Sequence, residues 1–155
     1  MLASLLIAAA LQAAAPAAPA CAAEGPPPPG FEAWTSIGAI TTGPITVGTR
    51  TGVKLAPAAT AHLALPPEHK PADGSYAGVY HFTVSKAATY SVALDTPAWI
   101  DVIGNGTAVK STAHRERPNC SSIRKAVDFP LTPGDYSLQL SGAKAETMTL
   151  LIVAR

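Results

Sequence analysis

Apolar side chains recur at every second position over much of the chain. In VYHFTV (79–84), Tyr80, Phe82 and Val84 alternate with His81 and Thr83. In TYSVAL (89–94), Tyr90, Val92 and Leu94 alternate with Thr89, Ser91 and Ala93. YSLQLS (136–141) places Tyr136, Leu138 and Leu140 on one side. A period of two is the signature of a strand with one buried face. The first two segments are separated by SKAA and predict a hairpin. WIDVI (99–103) ends at Gly104-Asn105-Gly106, a tight-turn signal, and 107–113 can pair back onto it. IRKAVDF (123–129) puts Ile123, Val127 and Phe129 on one side, and TMTLLIVA (147–154) is apolar on both faces, as a central strand is.

The earlier part is less regular. FEAWTSIGAITT (31–42) can open with a helical turn, but Gly38 and its threonines oppose a long helix. ITVGTRTGVKL (45–55) gives short β-prone pieces around Gly48 and Gly52. In AHLAL (61–65), Leu63 and Leu65 face one way and His62 the other; PPEHKPADGS (66–75) is a loop. About eight short strands, turns between them and no long helix predict an all-β fold. The expected architecture is an antiparallel β-sandwich of jelly-roll or Ig-like Greek-key type, over 37–155. In the turn 131–136, LTPGDY, the Tyr136 hydroxyl is placed to bond back to the backbone of its own turn. Lys86 to Tyr90 is a weaker version of the same punctuation.

Ahead of the sandwich, residues 1–23 read as an export signal. No charge precedes Glu24, and an apolar run ends among small residues, APACAA. A Pro-rich linker follows over 24–36. The expected location is periplasmic or secreted, with two fates for Cys21. In one, cleavage leaves a soluble chain in which Cys21 can pair with Cys120. In the other, Cys21 is lipidated, the chain is a lipoprotein, and 24–30 is a stiff spacer off a membrane.

Composition narrows the function. The chain has 155 residues and a net charge of +1, so no charged surface points to nucleic acid. Aromatics make up only 6%, so each large ring is wanted for the core; Trp99 is expected there, with a sugar-stacking platform as the alternative. The one charge asymmetry is the loop 110–125, with Lys110, Arg115, Arg117, Arg124 and Lys125 against Glu116. Arg115, Arg117, Arg124 and Lys125 are the candidate contacts for a small anionic ligand or an envelope component; the plainer reading is a solvated loop partly paired with Asp101, Asp128 and Glu116. On its apolar strand Asp101 is expected to pair with Arg124 or Lys125.

The candidate metal ligands are His62, His81, His114 and Cys120, which suit iron, copper or zinc if the fold brings them together; otherwise the histidines are surface residues. H-E-x-x-H, C-x-x-C, G-x-S-x-G, P-loop and G-x-G-x-x-G motifs are absent.

Two resemblances add to this. The rhythm of 76–155, F-x-V, T-Y-x-V-x-L and L-x-P-G-x-Y-x-L, resembles secreted pre-peptidase C-terminal β-sandwich modules. AWIDV (98–102), STAH (111–114), Cys120, IRKAVDF (123–129) and LTPGDY (131–136) resemble small exported bacterial proteins often labelled homogentisate 1,2-dioxygenase. The second resemblance implies an iron-dependent dioxygenase, with His62, His81, His114 and Cys120 as its ligand pool. The residues themselves favour a non-catalytic binding or envelope-interaction module without a cofactor. Periplasmic metal binding without turnover is a third reading.

Overall fold

The alternation becomes a two-layer β-sandwich in a computed structural model, which describes residues 21–36 and 38–155. The export signal expected over 1–23 lies outside the described residues as far as residue 20. Eleven strands form the layers: β1 (Ile40–Thr41), β2 (Thr51–Lys54), β3 (Ala56–Pro57), β4 (Tyr76–Val84), β5 (Ala88–Leu94), β6 (Trp99–Gly104), β7 (Thr107–Ala108), β8 (Ala113–Glu116), β9 (Lys125–Leu131), β10 (Gly134–Ala143) and β11 (Thr147–Ala154). One sheet runs β1-β2-β11-β5-β9-β8 and the other β3-β4-β10-β6-β7. Every pairing is antiparallel except β1 with β2, which is parallel. The strands beyond the expected eight are short edge pieces, where few side chains pack and the alternation carries little signal.

Each long strand sends alternate side chains into one interior. Tyr80, Phe82 and Val84 of β4 and Leu138 and Leu140 of β10 meet Tyr90, Val92 and Leu94 of β5 and Leu150 and Ile152 of β11. β11 is central, between β2 and β5, and its opposite face carries buried Leu151 and Val153. β4 and β5 do not form the expected hairpin. β4 pairs with β3 and β10, β5 pairs with β9 and β11, and Ser85 to Ala87 arch from one sheet to the other. Both strands are rich in buried side chains, so each needs two partners and a facing layer, which a hairpin alone does not supply. The 61–65 stretch is not a strand; it crosses the sheet as a loop.

The stretch 24–36 also packs. Phe31 and Trp34, in and beside a 3-10 turn (Glu32–Thr35), are buried against Ala93, Ile123, Ala126, Leu151 and Val153 on the outer face of the six-stranded sheet. Ile123 belongs to this outer cluster, not to the inner face it was expected to share with Val127 and Phe129, because β9 begins only at Lys125. Further anchors hold the segment: a Cys21–Cys120 disulfide, Gly25 N–H donating to the Cys120 carbonyl (3.0 Å), the Trp34 indole N–H donating to Ser122 Oγ (3.0 Å), and Arg50 donating to the Trp34 carbonyl (2.9 Å). Gly25 has no room for a side chain, since an added Cβ would lie 2.1 Å from the Asn119 carbonyl oxygen. Among the described residues no helix is long and apolar enough to cross a membrane.

Candidate functional site

Parity along β6 decides where the site lies. Ile100 and Val102 point inward, so Trp99 and Asp101 point outward. Trp99, expected in the core, is 47% exposed. Opposite it in register stands Ser141 of β10, and opposite Asp101 stands Gln139. Gln139 is fully buried under the 61–75 loop and holds it: its Oε1 accepts from Leu65 N–H (3.1 Å), and its Nε2 donates to the Leu65 carbonyl (3.0 Å) and to Asp101 Oδ2 (3.3 Å). The pinned loop then carries Glu68 and His69 to the strand. The His69 ring stacks on Trp99 with centroids 4.3 Å apart and planes inclined by 30°.

Lys125, first residue of β9, reaches the same place from the other sheet. Its Nζ donates to the Ala98 carbonyl (3.0 Å) and lies 5.0 Å from the Trp99 ring centroid, a cation–π contact. Glu68, Trp99, Asp101 and Lys125 border a cavity of about 390 Å3; His69, stacked on the indole, lies beside it and does not line it. The cavity's polar lining is Glu68, Asp101, Lys110, Ser111, His114 and Lys125; Ile100, Val109, Val127 and Phe129 form its apolar wall.

Two opposite charges face this cavity half-buried. Burial pushes the Asp101 carboxyl above its ordinary range; the Gln139 hydrogen bond and Lys125 pull it down, and Glu68 adds to the rise. Burial likewise lowers the Lys125 ammonium, against the pull of Glu116 and Asp101. They do not pair: Asp101 finds the Gln139 amide, not the expected Arg124 or Lys125, and no ion pair joins it to either. Two partly desolvated opposite charges that feel each other without a contact ion pair thus stand beside an exposed indole.

The basic loop is not one surface. Arg115 is engaged with Asp128 in a bidentate fork, Nη1 to Oδ2 at 2.8 Å and Nη2 to Oδ1 at 2.6 Å. Ser91 also donates to Asp128. Arg117 and Arg124 lie beside the disulfide, around a small cavity of about 210 Å3 that Glu24 also lines. Only Lys110 and Lys125 of the cationic group reach the Trp99 cavity.

The expected metal ligands are dispersed. His62 lies in a shallow depression beside β4 with Lys54 and Tyr80. His81 faces outward from β4, its Nδ1 3.2 Å from Ser137 Oγ. His114 pairs with Glu116 on β8 at 2.7 Å. The Cys120 sulfur is bonded to Cys21 and offers no thiolate. Among the described residues no three His, Cys, Asp or Glu side chains come close enough together to hold a metal ion. An iron site needs two imidazoles and a carboxylate on one centre, and these residues do not fit it.

A larger cavity, about 840 Å3, lies by Tyr136 and the Gly104-Asn105-Gly106 turn. Four of its polar side chains are paired with one another, His81 with Ser137 and Thr83 with Asp135 at 2.5 Å. Sequence reasoning placed Asp101 on an apolar strand but missed that Trp99 shares its face. It missed Glu68, His69 and Gln139 altogether, and only the parity of β6 could have exposed part of this.

No protein-family description matches the chain, and no curated protein matches it. A solved structure similar to it is the pre-peptidase C-terminal domain of a collagenase from Bacillus anthracis. The identity is 11%, the TM-score 0.40, and the alignment covers 76% of this chain and 98% of that one.

Proposed function

We propose that the chain is an exported, non-catalytic binding module whose contact site is the Trp99 cavity, and whose partner is a component of the cell envelope. The observation that carries this is the trio Trp99, Asp101 and Lys125: a half-exposed indole beside a half-buried carboxylate and a half-buried ammonium that form no salt bridge with each other. Export is supported by the Cys21–Cys120 disulfide, which persists in oxidising compartments. That bond also occupies the sulfur a lipid anchor would need. An anionic ligand on the basic loop has less support, because Arg115 is engaged by Asp128 and Lys125 shares its cavity with Asp101 and Glu68.

Co-sedimentation with isolated bacterial envelopes tests the reading. Wild-type protein is expected to sediment, and Trp99→Ala to remain in solution with an unchanged melting temperature. Equal sedimentation of the two proteins, or none by the wild type, would overturn it.

A further inference from the structure

Resting on that reading, we propose that Trp99 and the cavity beside it bind a neutral saccharide, one pyranose ring taking the place on the indole that the His69 imidazole now occupies and the adjoining ring entering the cavity. His69 shows that this indole accepts a flat ring, with centroids 4.3 Å apart. The imidazole is weakly held. Among the described residues its side chain makes no hydrogen bond, and the backbone of 66–71 makes none either, the last anchor being Leu65 on Gln139. A ring that brings more hydrogen bonds than His69 displaces it.

The two charges select the ligand's polarity. A carboxylate only accepts hydrogen bonds and an ammonium only donates them. Asp101 and Lys125 therefore ask for a ligand that donates on one side and accepts on the other, as neighbouring sugar hydroxyls do. A net anion would face Asp101 and Glu68 in the same cavity, and a net cation would face Lys110 and Lys125. A zwitterion balances those charges, but its ammonium would compete with Lys125 for the π-cloud of Trp99. In the cavity beside that place, the apolar wall of Val109, Val127 and Phe129 suits the C–H face of the adjoining sugar ring.

The test is titration of the full disulfide-bonded protein with cellotriose, maltotriose and triacetylchitotriose, followed by the Trp99 indole N–H resonance and by calorimetry. At least one trisaccharide is expected to bind and shift that resonance. Trp99→Ala is expected to weaken binding about tenfold or more, the size of a lost stacking contact. Asp101→Asn, which keeps its shape and can still accept from Gln139, is expected to weaken binding without a change in fold. His69→Ala, which removes the internal competitor, is expected to strengthen it. Failure of all three sugars, binding indifferent to Trp99, preferential binding of glycine or γ-aminobutyrate as zwitterion probes, or weaker binding by His69→Ala would overturn the proposal. Envelope sedimentation that depends on Trp99 while all three sugars fail would remove the saccharide and leave the binding reading intact; loss of that dependence removes the reading itself.

Discussion

Arg115 and Asp128 meet as a fork across the β8–β9 pair, two N–H donors on two carboxylate oxygens. Burial alone would raise the Asp128 carboxyl; the Arg115 hydrogen bonds, then that of Ser91, outweigh it and hold the group below its ordinary value. A carboxylate depressed in the folded state stabilises above its unfolded pKa, about 4, and loses that contribution as pH falls through the folded value. Asp128→Ala leaves Arg115 without its partner in a half-buried position and is expected to cost about 3 kcal/mol at pH 7. Urea unfolding of both proteins across pH checks this. The stability gap should be full at neutral pH and shrink below about pH 4.

Tyr90 and Tyr136 repeat one device in the two sheets. Each hydroxyl donates to a carbonyl four residues earlier, Tyr90 to Lys86 (3.0 Å) and Tyr136 to Thr132 (2.9 Å), and Tyr136 also accepts from Thr132 N–H (3.2 Å). Both turns feed a strand that enters the core. Tyr136→Phe keeps the ring against Phe82 and removes only the hydroxyl, so about 1 kcal/mol should be lost. Tyr90→Phe should lose a similar amount, and denaturant midpoints at constant slope would show it.

Reduction of the disulfide should release the outer segment before the sandwich. Cys21 and Cys120 are separated by 99 residues in sequence, and a cross-link closing so long a loop stabilises by about 5 kcal/mol in the chain-entropy account. Trp34→Ala should cost about 3 kcal/mol through the cavity it leaves. Hydrogen exchange after reduction is expected to rise first over 24–36, with β5 and β11 still protected.

Asp101 works in the opposite sense to Asp128. Its folded pKa is raised, so between the unfolded and folded values the native state holds the proton more tightly, and stability declines as pH rises through that window. Asp101→Asn is therefore expected to raise the melting temperature slightly at pH 7 and to lose the advantage in acid, where wild-type Asp101 is neutral. Thermal melts at the two pH values check the sign.

The inner faces of β4, β5, β10 and β11 could be read from the sequence because long half-buried strands print their burial as alternation. Partner choice could not: Ser85 to Ala87 serve an arch as well as a hairpin, and only the facing layer distinguishes them. The two-residue strands carry no readable period. Trp99 was misplaced because scarcity of aromatics argued for the core, whereas its parity with Asp101 argued for the surface, and parity prevailed. The metal pool dissolved for a related reason. His62, His81 and His114 sit on different loops and strand faces, and the thiol counted with them is joined to Cys21.

The most direct test is a titration of the labelled protein with solubilised envelope fragments, recording the two indole N–H resonances. Trp99 should move and saturate while Trp34, buried between the outer segment and the sheet and held by Ser122, stays in place. If Trp99 stays fixed throughout, or if only Trp34 responds, the cavity on β6 is not the contact site.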